Sequence, residues 1–221
     1  MRLISTEHGQ AFQQLAAEEV RPPAGLYWPD FLRSIVQRYG FVSSSDLETA
    51  FKEGAKFAHG RLVHENGNIE IKEMSIYSDG IIIVTLNTNY SNLIFEDFTS
   101  WTVSELGFRT APILQPRRFQ SSVIVEFNVA VDKALGAFEE LKAQFSDIIN
   151  TQHGFREQIT ASRLTFSIDP AKLPRFYSFD FTLERRANSL LAQNRYFSFA
   201  NLTTELHLTL LENLERRLLA I

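Results

Sequence analysis

The sequence contains no cysteine, which excludes disulfides, a thiol nucleophile, iron–sulfur clusters and zinc sites with cysteine ligands. Its first residues, MRLISTEHGQAF, lack the apolar core of a signal peptide. The longest aliphatic run, Ile81 to Val84, is far shorter than the roughly 20 residues that cross a bilayer. These absences predict a soluble, cytoplasmic protein that does not bind a membrane.

Sequence motifs for common cofactors and catalytic centres are also absent. None of the 10 glycines forms a Gly-x-Gly pair, and there is no P-loop motif, no H-E-x-x-H and no G-x-S-x-G. We therefore predict no cofactor, no metal and no catalytic residue that a motif would identify. Positive charge is scarce too, since the net charge of -4 disfavours nucleic-acid binding through a broad basic surface.

Aromatic residues are plentiful, with 19 phenylalanines, and the periodicity of apolar residues predicts an α+β fold. We expect helices over most of residues 1–55, around the proline-rich RPPAGLYWPD. About six strands follow from alternating or continuous apolar segments: KFAHGRLVHE, IEIKEMSIY, IIIVTLN, SSVIVEFNVAV, SRLTFSID and RFYSFDFTLERR. The turn signals Asn66-Gly67 and Asp79-Gly80 predict hairpins, so the sheet should be mainly antiparallel with helices packed on it.

The chain is predicted to divide into an N-terminal helical segment (1–55), a strand–hairpin–helix half (56–110), a linker or loop (111–120) and a second α+β half (121–221). A single domain over 1–221 is the alternative. Each half ends in a hairpin followed by a helix, although no residue-level repeat accompanies this.

Two amphipathic helices are predicted in the second half. The first has the clearest apolar stripe in the chain: Leu135, Phe138, Leu141, Phe145, Ile148 and Ile149. The last helix, from about Thr203 to Leu219, has a stripe that begins with a histidine: His207, Leu210, Leu211, Leu214, Leu218 and Ile221. This spacing turns His207 towards the core, where a neutral ring with a hydrogen-bond partner is expected.

The candidate binding residues surround the start of this last helix: Arg185, Arg186, Arg195, Tyr196 and His207. A helix N-terminus attracts anions, and the arginines flank the turn that leads into it. The alternative is structural: arginines paired with nearby glutamates, and a histidine within the core.

A third pattern imitates the PD…ExK motif of metal-dependent nucleases, through Asp30, Glu70 and Lys72. The match is poor because Asp30 lies 40 residues before Glu70 and looks like a helix cap.

The favoured functional hypothesis is a non-enzymatic protein–protein interaction or assembly module, such as a subunit, adaptor or regulatory protein that binds another protein or itself. Abundant aromatics, missing catalytic motifs and several peripheral helices favour it. The alternative is an enzyme or a binder of small anions with a pocket near the start of the last helix, and a nuclease is more remote.

Overall fold

The computed structural model describes residues 1–15, 26–65, 67–108, 116–153, 160–169 and 180–220. In these ranges the strands are β1 (Arg2–Gln14), β2 (Ser43–Ser44), β3 (Ala55–His64), β4 (Gly67–Tyr77), β5 (Gly80–Thr85), β6 (Arg118–Glu126), β7 (Arg163–Ser167), β8 (Asp180–Arg185) and β9 (Arg195–Ala200). The α-helices are α1 (Trp28–Tyr39), α2 (Leu47–Glu53), α3 (Thr88–Leu106), α4 (Glu139–His153) and α5 (Thr204–Leu219). A 3₁₀ helix, Val131–Phe138, leads directly into α4. Among the helices described, none is long and apolar enough to cross a membrane.

The strands form an antiparallel sheet in the order β2-β3-β4-β5-β1-β6-β9-β8-β7. The predicted α+β class with an antiparallel sheet is therefore confirmed, but the sheet has nine strands instead of about six. Strands β1, β2 and β9 were missed. The predicted Asp79-Gly80 turn is present, with Tyr77 paired to Gly80 across a two-residue connection, whereas Asn66 of the other predicted turn lies outside the described residues.

The same order of elements occurs twice along the chain. The first set begins with strand β1 and a helical stretch, which consists of α1 and α2 with the short β2. It continues with three consecutive antiparallel strands (β3, β4, β5) and ends with helix α3. The second set begins with strand β6 and a helical stretch that ends in α4. It continues with three strands (β7, β8, β9) and ends with helix α5. In each set the last of the three strands is next to the first strand of that set in the sheet. The repeat is one of element order and not of residues.

The prediction of helix at the N-terminus is wrong for Arg2–Gln14, which form strand β1. The inward positions of this strand are Gly9, Ala11 and Gln13, so its sequence lacks the alternating large apolar residues that mark a strand. Gly9 is required by close packing: a Cβ there would lie 2.1 Å from the backbone carbon of Asn87. The backbone oxygen of Gly9 also accepts a hydrogen bond from Ser91 of α3, at 2.9 Å.

The chain divides into two compact units, each made of separate segments. The N-half unit comprises Thr6–Ser122 and Asn201–Thr204, and the C-half unit comprises Met1–Ser5, Val123–Ala200 and Glu205–Ile221. This division differs from the predicted boundaries because β1 and β6 each contribute to both units. Of the predicted linker 111–120, residues 111–115 lie outside the described ranges and Arg118–Gln120 belong to β6.

The N-half unit is held by an aromatic core and by a charged clamp between α1 and α3. Helix α1 ends where predicted, at Gly40, whose φ of 58° favours glycine. Just before this end, the Arg38 guanidinium donates to both carboxylate oxygens of Asp97, at 3.1 and 2.7 Å, and the buried Tyr39 hydroxyl donates to the same carboxylate at 2.8 Å. Burial is the largest cause that raises the pKa of Tyr39, followed by the negative charge of Asp97.

The first residues of α3 and α5 bond to each other within the N-half unit. The backbone N–H of Thr88 donates to the Thr204 hydroxyl at 3.1 Å, and that of Thr204 donates to the Thr88 hydroxyl at 2.8 Å. Both threonines are buried. The two helices are the last elements of the two repeats, so equivalent positions satisfy each other's free N-terminal amides.

Within the described ranges, the C-half unit has the smaller of the two buried apolar clusters, which includes Leu183, Tyr196, Leu211 and Leu218. On α5, His207, Leu211 and Leu218 are buried, but Leu210 of the predicted stripe is exposed; Ile221 lies outside the described residues. Glu215 is also buried. Its carboxylate forms an ion pair with the amino group of Met1 and accepts from the backbone and side chain of Asn128, at 2.8 and 3.1 Å.

Candidate functional site

His207 lies in the first turns of α5, on the side that faces the C-half core, and its side chain has no exposed surface. Its Nε2 is 2.8 Å from the Ser198 hydroxyl oxygen of β9, and the edge of its ring meets the Phe181 ring. The expectation that His207 faces the core with a hydrogen-bond partner is confirmed. A ligand could contact the His207 side chain only if the core of the C-half unit opened first.

The hydrogen bonds around Ser198 define the tautomer of His207. The Ser198 hydroxyl donates its one proton to the Thr182 carbonyl oxygen, at 2.9 Å, so it accepts from the histidine. The proton is therefore on Nε2 in the neutral ring. Burial lowers the pKa of His207 to about 4, which keeps the ring neutral at physiological pH.

Tyr196 and Arg185 are brought together, because they are directly paired residues of β9 and β8. The Arg185 guanidinium lies 5.4 Å from the centre of the Tyr196 ring. The Tyr196 hydroxyl accepts from the backbone N–H of Val131 at 3.1 Å, and burial raises its pKa. Arg185 also faces the Asp132 carboxylate at 4.0 Å, so a local acidic group offsets its charge.

Arg195 lies beside a carboxylate as well. Its Nε donates to Glu126 at 2.9 Å, and Arg2 donates to the other oxygen of the same carboxylate at 2.8 Å. The hydrogen bond from Arg195 is the largest cause that lowers the pKa of Glu126, followed by that from Arg2. Arg186 is exposed, and its backbone N–H donates to the Arg195 carbonyl oxygen. The structure therefore brings Arg185 next to Tyr196 and Arg186 next to Arg195, and it places His207 in the core beside Ser198.

Two of the three residues of the nuclease-like pattern, Asp30 and Lys72, have partners elsewhere in the N-half unit. Asp30 pairs with Arg33 one turn later in α1, at 2.9 Å. The Lys72 ammonium donates to the backbone oxygen of Glu7 at 2.6 Å. Within the described ranges, no three His, Asp or Glu side chains are grouped closely enough to hold a metal ion.

The most prominent surface feature of the C-half unit is the apolar stripe of α4 and the residue before it. Four large side chains are between 51% and 62% exposed, and we call them the α4 apolar surface: Phe138, Leu141, Phe145 and Ile148. The sequence predicted this stripe but gave no sign that it faces outward. The side chain of Leu135, first in the predicted stripe, lies outside the described part.

A groove of about 380 Å³ runs along the α4 apolar surface. It is lined by Asp132, Phe138, Glu139, Leu141, Lys142, Phe145, Thr160 and Ala161. Lys142 pairs with Glu139 at 2.7 Å and Asp132 faces Arg185 at 4.0 Å, while the exposed Glu140 adds an acidic group at this end of α4. An apolar floor with an acidic margin suits the apolar side chains of a partner that also carries basic groups.

No protein-family model matches the chain, and no curated protein matches it.

Proposed function

We propose that the protein is a non-enzymatic interaction or assembly module that binds a protein partner through the α4 apolar surface. The observation that carries the proposal is the exposure of Phe138, Leu141, Phe145 and Ile148 beside a groove. Keeping such residues in contact with water forgoes about 25 cal/mol for each Å² that could be buried. A contiguous exposed stripe of this kind is typical of a binding surface.

The distribution of exposed apolar residues supports the same proposal. Among the described residues, twelve of the nineteen exposed large apolar side chains lie in the C-half unit. Counted over the same described residues, this unit also has the smaller buried cluster. The excess is therefore concentrated where the internal core uses fewer apolar side chains, and a partner that covers part of it would add to the stability of the unit.

The alternative function, a binder of small anions near the start of α5, has less support. Arg185 and Arg195 each lie next to a carboxylate, and an incoming anion would have to compete with Asp132 or Glu126. His207 contributes a neutral ring within the core and no positive charge. This set of groups serves the internal contacts of the C-half unit better than it serves an anion.

The proposal is tested by removing the apolar character of α4 without changing the core. The double variant Leu141→Gln/Phe145→Gln replaces two exposed side chains, so its melting temperature should stay near that of the wild type. The mass of the native assembly would be measured in an extract of the source cells and for the purified protein. We expect an assembly heavier than one chain that is lost in the double variant.

The matched control is Val42→Gln, which replaces an exposed apolar side chain of the N-half unit. This variant should keep the assembly. If the wild type forms no assembly under either condition, or if the α4 double variant assembles as well as the wild type, the proposed function is wrong.

A further inference from the structure

A second surface in the C-half unit has chemistry opposite to that of the groove. Helix α5 exposes Glu205, Thr209, Glu212 and Leu219, together with a set that combines apolar residues with a basic C-terminal turn: Leu206, Leu210, Asn213, Arg216 and Arg217. We call these five residues the α5 outer face. Leu206 is 56% exposed and Leu210 is 41% exposed. They flank the buried stripe of the helix, which contains His207, Leu211 and Leu218.

We propose that the α4 groove binds the α5 outer face of a second copy of the same chain. This inference rests on the proposed function and names the partner of that site. The first turn of α4 has two acidic residues, Glu139, which already pairs with Lys142, and Glu140, and the last turn of α5 is basic, with Arg216 and Arg217. All four side chains are exposed. Opposite charges at the two surfaces would orient the copies and disfavour other partners.

The spacing of the side chains fits two antiparallel helices. Leu141, Phe145 and Ile148 follow one another along α4 at intervals of four and three residues. Read in the opposite direction, the residues of the α5 outer face are Asn213, Leu210 and Leu206, at intervals of three and four. Both sets span about two helical turns, and the middle pair is offset by one residue, or about 1.5 Å.

Charge also selects the antiparallel orientation. The antiparallel orientation brings Glu139 and Glu140 within one turn of Arg216 and Arg217 of the second copy. At the other end of the contact, Asp147 lies near Glu205 of the second copy. Repulsion between these two carboxylates offsets part of the favourable electrostatic energy. A parallel arrangement would instead place Glu139 and Glu140 beside Glu205 and leave the arginines without an acidic partner.

Each copy has both surfaces, so two copies related by a two-fold axis would form the contact twice, and we propose this closed dimer. The apolar pairs would supply affinity, and the charged pairs at the margin would determine partner choice and the rate of association.

The experiment uses two charge-reversed forms of the full chain. One carries Glu139→Arg/Glu140→Arg on α4, and the other carries Arg216→Glu/Arg217→Glu on α5. In a self-complex of either form, like charges meet at both contacts. In an equal mixture of the two forms, opposite charges meet at both contacts again.

Sedimentation velocity from nanomolar to high micromolar concentration would measure each association constant. We expect a wild-type dimer, a loss of at least about tenfold in self-association for each form, and recovery in the mixture. Reversal of the exposed α2 pair, by Glu48→Lys/Lys52→Glu, is the control that should leave the dimer unchanged. Circular dichroism would establish that every variant is folded.

A wild-type chain that stays monomeric throughout this range would overturn the inference. So would a dimer that tolerates both reversals, or a mixture that does not recover. The proposed function fails separately, if Leu141→Gln/Phe145→Gln changes no assembly with any protein.

Discussion

Burial of a neutral histidine makes the stability of the protein depend on pH in a defined direction. The pKa of His207 is about 4 in the folded chain, against 6.5 for an unperturbed histidine. The unfolded chain therefore binds the proton first as pH falls, and protonation favours unfolding. The stability that the neutral ring supports is fully present above about pH 6.5 and is lost progressively down to about pH 4.

The size of this effect follows from the two pKa values. Their separation corresponds to a loss of about 3 kcal/mol in the free energy of unfolding once the pH is below both. At about pH 5 the loss from this one group is about 2 kcal/mol, because the folded form is still mostly neutral there. A loss of about 2 kcal/mol is a large part of the free energy of unfolding of an ordinary domain.

The assay compares the wild type with His207→Gln in urea unfolding followed by far-ultraviolet circular dichroism, at about pH 7.5 and at about pH 5. The Gln amide nitrogen can take the place of Nε2 as the donor to Ser198, but it does not titrate. We expect the wild type to lose about 2 kcal/mol more than the variant between these two conditions. Other titrating groups are common to both proteins and cancel in the difference. Equal losses in the two proteins would refute the account of His207.

The remaining predictions concern the N-half unit. Gly9→Ala should destabilise the protein by about 2 kcal/mol or more, since its Cβ would meet the Asn87 backbone, and thermal unfolding would show it; an unchanged melting temperature would contradict this packing. Asp97→Asn should cost about 1 to 2 kcal/mol in chemical denaturation, because it weakens the bonds from Arg38 and Tyr39. The exposed pair on α2 is the control, and Glu48→Gln should cost less than about 0.5 kcal/mol. Equal effects of Asp97→Asn and Glu48→Gln would show that burial of the clamp adds nothing.

The elements that the sequence predicted best are those with a strong local signal. Gly40 ended α1 as expected, and the continuous aliphatic residues of IIIVTLN form β5 near the middle of the sheet. Strand β1 was not predicted because its buried side consists of Gly9, Ala11 and Gln13, which do not give the apolar alternation of a strand. Gly9 has no side chain because α3 begins directly against the strand there, and that contact is between segments far apart in sequence.

For the candidate residues too, the sequence predicted local features but not contacts between distant segments. The helical period correctly turned His207 inward, but it could not identify Ser198 as the partner, since the strand β9 was not recognised. The stripe on α4 was seen in full, yet its periodicity gives the same signal whether the stripe packs on the protein's own sheet or faces outward. Exposure of Phe145 and Leu141 depends on the tertiary arrangement of the C-half unit, which no local pattern encodes.

Binding of a protein partner by the α4 apolar surface can be measured as a change in native mass. The native mass of the wild-type protein, of Leu141→Gln/Phe145→Gln and of the control Val42→Gln would be determined by sedimentation velocity, in source-cell extract and in purified form. We expect an assembly for the wild type and the control, and a single chain with an unchanged melting temperature for the α4 variant. The same mass for all three proteins would contradict it.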